Sequence, residues 1–206
     1  MSDGRIVAGI AGPAAFVATW SYLGARTSGY SPVQQPISHL AAARTPTQPM
    51  MTAGLVALGA GLAAYSGELR NALPGGAGTA ALISAAASIG IAATPMESVV
   101  GGRPHVIAAG LTYASLAATP LIASRSLAPD HPRLATASAV AGVAAGACLA
   151  MSTISTTRTG MWQRMGLTIG HTWLVASAFA VALRRRDQAS VAAAAPKPRF
   201  LAQSRN

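Results

Sequence analysis

Between Ile6 and Ala25 the chain runs for twenty residues without a charged side chain. At 1.5 Å per residue a helix of that length covers a bilayer's hydrocarbon layer, about 30 Å thick. The pattern recurs over 50–66, 77–94, 104–124, 134–154 and 162–183, and Arg164 is the one Lys, Arg, Asp or Glu inside any of these segments. Composition agrees. Charged residues make up 10% of the chain, against about 25% in a soluble domain. Alanine occurs 48 times and glycine 21. The pattern therefore predicts an all-α polytopic membrane protein, a bundle of six transmembrane helices. Segment one is read as a retained span, since its apolar run exceeds a signal peptide's h-region of about 7–15 residues. Segment three is the weakest span, because alanine is nearly neutral for insertion. Residues 1–186 form the membrane domain. Residues 187–206 are rich in Ala, Pro and Arg without apolar periodicity, and read as a disordered basic tail on the cytoplasmic side.

The net charge is +10, from 15 Lys and Arg against 5 Asp and Glu. Such a balance raises nucleic acid as a partner, but no basic stripe interleaves with aromatics, so nucleic acid is set aside. The cations punctuate the apolar runs instead. One side of the predicted bundle holds ten of them: Arg5, Arg70, Arg125, Arg133, Arg184, Arg185, Arg186, Lys197, Arg199 and Arg205. The other holds five: Arg26, Arg44, Arg103, Arg158 and Arg164. The positive-inside rule then places both termini in the cytoplasm of a multi-pass plasma-membrane protein. The single cysteine, Cys148, can form no internal disulfide and reads as a small packing residue. Gly142 and Gly146 form a GxxxG pair, and Gly54, Gly59 and Gly61 line segment two. Small residues of this kind let helix backbones approach closely. Pro13 and Pro120 fall within spans and are expected to kink or loosen them.

Polar residues of functional interest gather on the extracytoplasmic side. The connection 26–49 is long for a compact protein, and Pro36 is placed to start a short exofacial helix running to about Arg44. Its Ile37, Leu40 and Ala41 would face the bundle, either as a lid or as an interfacial cover. Glu97 and Arg103 lie in the second outer connection, with His105 just behind. In the last span Arg164, Thr168 and His171 share one helix face, and His171 falls near mid-membrane, where an ionisable side chain is costly and normally faces the bundle interior or a wet cavity. A polar cleft closed at its deep end by His171 is the expectation. In it Arg164 faces inward and meets Glu97, Ser38 or His105.

The order of these residues resembles the prokaryotic membrane family catalogued as domain of unknown function 998. The resemblance spans residues 6–183 and rests on Gly29-Tyr30-Ser31, Ile37-Ser38-His39-Leu40, the acidic turn before His105, and Gly160-Met161-Trp162-Gln163-Arg164. This sequence departs from the family's pattern with His39 in place of an acidic residue and Glu97 in place of Asp. The resemblance implies a six-span bundle and supplies no activity.

Three functional readings use the same residues. An accessory or ligand-binding protein would hold a ligand or lipid headgroup at Ser38, His39, Glu97, Arg103, His105, Arg164 and His171, with membrane lipids, another membrane protein or a second copy as partner. A metal- or His-dependent enzyme would use His39, His105, His171 and Glu97, but no HxxxH or HExxH pair is present, so no metal site is assigned and the cofactor stays open. Bis-His haem would need His105 and His171 at matched depth. A transporter built from inverted repeats finds no repeat between the two halves.

Overall fold

A computed structural model describes residues 3–96 and 102–194. Six α-helices account for most of them: α1 (Asp3–Arg26), α2 (Gln48–Ala72), α3 (Ala77–Ala93), α4 (Gly102–Leu127), α5 (Pro132–Ile154) and α6 (Thr159–Ala194), with a short 3-10 helix, Ile37–Ala41, between α1 and α2. No strand occurs among the described residues. Five of the six helices are long and apolar enough to cross a membrane. The exception is α3, an apolar, alanine-rich helix that falls short only in length, at 17 residues. The protein is a polytopic helical membrane protein.

Apart from the long one between α1 and α2, the connections are short, which makes consecutive helices antiparallel neighbours. Each packs on the next, and α1 packs on α6 to close the ring. Besides α1 and α5, α6 also touches α2 and α4, so its buried face forms part of the bundle's centre. Glycine sets the closest approaches. A Cβ on Gly61 would lie 2.5 Å from the Ala8 carbonyl and 2.9 Å from Gly12 Cα, so α1 and α2 cross backbone to backbone. Gly59 serves the opposite neighbour, where a Cβ would meet Ile89 and the Ala85 carbonyl of α3. The Gly142–Gly146 pair is spent inside the molecule, against Ala117 and Leu121 of α4. Cys148 is buried on α5. Pro13 and Pro120 lie within helices that continue past them. Each proline costs one backbone bond, and the turns on either side carry the helix through.

Two boundaries differ from the sequence expectation. The short helix stops at Ala41 rather than near Arg44, because Ala42 turns extended and Arg44 takes a left-handed φ of 65°. That bend lets the Ala43 amide reach the Met96 carbonyl at 2.8 Å. At the other end, α6 runs on to Ala194, well into the stretch expected to be unstructured. Residues 184–194 are mostly Arg and Ala, with no glycine or proline, so nothing there stops the helix. Residues 195–206 of the expected tail lie outside the described residues, as do Glu97 and its neighbours to Gly101.

Candidate functional site

The short helix owes its position to its own apolar face. Ile37, Leu40 and Ala41 are all buried, and Pro36 fixes the approach to them with extended backbone. The Ile37 amide, unsatisfied at a helix start, donates to Gln163 Oε1 at 2.6 Å. Gln163 is buried near the start of α6 and donates through its own amide to the Tyr113 hydroxyl of α4. One side-chain amide thus joins lid, α4 and α6, with both ends satisfied.

Arg164 ties down the rest of the α1–α2 connection. Its Nη1 donates to the carbonyls of Pro32 at 2.7 Å, Gln35 at 3.0 Å and Gly160 at 3.0 Å. Its Nη2 donates to the Tyr30 hydroxyl, and the guanidinium lies 5.3 Å from the Trp20 ring centre and 5.4 Å from that of Tyr30. A planar fork matches this set of carbonyls and ring faces; an ammonium would not. Burial raises the Tyr30 phenol above its ordinary pKa, while the hydrogen bond and charge of Arg164 pull the other way. Gly160 is required beneath the loop, since a Cβ there would run into the Pro32 and Gln35 carbonyls.

Below the lid lies a cavity of about 820 Å³. Pro36, Ile37, Ser38 and Ala41 roof it; Phe16, Met51, Leu55, Leu58 and Leu167 are among its apolar walls. Ser38, Ser88, Arg103, His105, Thr112, Tyr113 and Gln163 are among the residues that supply its polar atoms. It also extends along Val106, Ile107 and Gly110 of α4, which are exposed on the bundle's outer surface, so it is open sideways there. His105 donates through Nδ1 to the Thr94 carbonyl at 2.8 Å. A carbonyl can only accept, so Nδ1 carries the hydrogen of this bond, and Nε2 is the ring nitrogen that Thr94 does not engage.

The seven residues singled out from the sequence therefore separate. Ser38, Arg103 and His105 line the cavity, with Arg103 exposed at its rim. His39 is exposed on the far side of the lid. Glu97 lies outside the described residues. Arg164 grips the loop instead of meeting Ser38 or His105. His171 is 2% exposed with neither ring nitrogen hydrogen-bonded, and it does not line the cavity. The Phe16 ring, which does, stands edge-on to it at 5.6 Å. The expected cleft is thus a largely apolar cavity, and His171 is behind its wall. The expected stripe is also divided: on α6 the buried arc runs through Gln163, Leu167, His171, Leu174 and Ala178, and Thr168, about 40° beyond Arg164, is exposed. The histidines are not brought together, and among the described residues no three His, Cys, Asp or Glu side chains converge as metal ligands.

Three further groups matter here that the sequence does not single out as site residues: half-buried Tyr113, and buried Gln163 and Glu68. Gln163 stands out only as part of the motif around Arg164. Glu68 is the more instructive omission. It is 4% exposed on α2, pairs with Arg185 of α6, and lies 3.9 Å from Arg5 of α1. The signal was present: a chain with five acidic residues places one of them two positions before Arg70, at the end of an apolar run.

Residues 10–195 match the family described as "Protein of unknown function (DUF998)". The chain belongs to this family. No curated protein and no solved structure matches it. The DUF998 description carries no activity, so the chemistry of the cavity is the guide to function.

Proposed function

We propose that this DUF998 protein binds an amphipathic, lipid-like molecule in its outer-end cavity. The observation that carries the reading is the cavity itself: about 820 Å³, roofed by a lid, apolar along most of its wall and open sideways past α4. Ligand pockets fall in the range of about 300–1,000 Å³ and combine apolar walls with a few directed polar groups. Here Ser38 and His105 Nε2 offer hydrogen bonds to a polar head, and Arg103 at the rim suits a negative one. The ten-to-five division of Lys and Arg supports a plasma-membrane orientation with cytoplasmic termini and this cavity facing outward.

Lipid extracted from the purified protein and identified by mass spectrometry tests the binding. The native chain retains a stoichiometric amphipathic species, and Ala109→Trp, which fills the cavity, loses it. Equal retention by both would refute the reading. Membrane-impermeant labelling of Gln34→Cys tests the orientation: labelling only from the cytoplasmic side refutes it.

A further inference from the structure

A second, smaller cavity of about 230 Å³ lies at the opposite end of the bundle, between α5 and α6. Its floor includes buried Leu73 and Leu127, and its flanks include Leu134 and Ala180, both exposed on the outer surface. It is therefore open sideways. Trp173 stands at its deep end with its Nε1–H satisfied by Ser138 Oγ at 3.0 Å, which leaves the ring as plain apolar wall. Arg184 lines the other end. Along α6 the distance from Trp173 to Arg184 is eleven residues, or about 16 Å, which is half of a hydrocarbon layer of about 30 Å. The groove is one leaflet deep.

The three consecutive arginines at this end are not equivalent. Arg185 turns inward and is held by Glu68. Arg184 is exposed, has no ion pair among the described residues, and sits where the groove meets the headgroup level. Arg186 is exposed too, but is not part of the groove.

From this arrangement we infer that the α5–α6 groove is a binding site for an anionic phospholipid of the leaflet on the arginine-rich side. One acyl chain lies along the groove as far as Trp173, and the phosphate is met by Arg184. The site is separate from the outer cavity, and its test does not depend on what that cavity binds.

The experiment places the full chain, with Trp20→Phe and Trp162→Phe so that Trp173 alone reports, in phosphatidylcholine nanodiscs. These are doped with phosphatidylglycerol or phosphatidylcholine whose acyl chains are brominated. Brominated phosphatidylglycerol reaches half-maximal quenching of Trp173 at about one fifth of the mole fraction that brominated phosphatidylcholine needs, the effect expected of one well-placed arginine. Arg184→Gln abolishes the difference, whereas Arg186→Gln, which removes the same charge one residue away, preserves most of it. Equal quenching by the two lipids in the parent protein overturns the proposal. So does an equal loss in the two variants, which would mark general surface charge, or a preference that survives Arg184→Gln.

Discussion

Arg164 and His171 lie two turns apart on α6 and show what burial does to a polar side chain. Arg164 is half-buried and fully occupied: three carbonyls, one phenol and two ring faces. Arg164→Ala leaves those carbonyls without their donor and frees the loop, a loss of about 2 kcal/mol, read as a lower unfolding midpoint and faster proteolysis within 27–36. Arg164→Lys recovers only part, since one ammonium cannot span the set. The burial of the Tyr30 phenol in this clamp gives the loop an alkaline limit. The Tyr30 pKa is raised in the folded state, so its contribution is complete below its unfolded value near 10 and is lost as pH rises through the folded one. Protease protection of the loop, followed from pH 9 upward, checks this. His171 is the converse case, buried with both nitrogens unpartnered. His171→Leu removes that desolvation cost and raises stability by about 1–2 kcal/mol in denaturant titrations in detergent. A loss of stability would mean that the imidazole has a partner.

At the scale of elements, glycine and one ion pair hold the helices together. In lipid, close van der Waals packing replaces the hydrophobic drive between helices. Gly61→Leu pushes a side chain into the Ala8 carbonyl and the Gly12 backbone, neither of which can rotate away. It costs on the order of 3 kcal/mol and is measured as reduced folded yield and a lower thermal midpoint. Glu68 joins α2 to α6 and approaches α1. Removing one partner of a fully buried pair costs about 3–5 kcal/mol; because the Arg185 side chain is 36% exposed, Glu68→Gln costs less, about 2 kcal/mol. The double variant Glu68→Gln with Arg185→Gln is closer to the parent than either single change in the same melt, because neither charge is then left alone.

For the whole molecule, the two ends are built differently. The end that carries the short 3-10 helix has a lid, a clamp and a large cavity; the other is closed by Glu68 and Arg185 above a lateral groove. The six-helix ring needs α6 only as far as that ion pair. Truncation after Asp187 therefore leaves the thermal midpoint unchanged to within about 0.5 kcal/mol in stability. Truncation after Leu183 removes Arg185 and lowers it as Glu68→Ala does. A midpoint that falls with the shorter deletion would show that residues beyond 187 pack on the bundle.

The uninterrupted apolar runs by themselves determined six helices and their approximate limits, because bilayer thickness is a length that a sequence displays directly. Pro36 with Ile37, Leu40 and Ala41 likewise announced the short helix between α1 and α2 through spacing alone. Which polar residues meet was decided only in three dimensions. Helical periodicity placed Arg164 and His171 on one face, but not the loop carbonyls that claim the first or the Phe16 ring that screens the second. Gln163 became a junction because Ile37 and Tyr113, 126 and 50 residues away, arrive at its two ends. Glu68 became a fastener because α6 closes the ring beside α2. Contacts of such separation depend on how six helices of similar composition order themselves around one centre, and in an Ala- and Gly-rich chain with low charge that order follows from backbone fit between neighbours rather than from any local pattern.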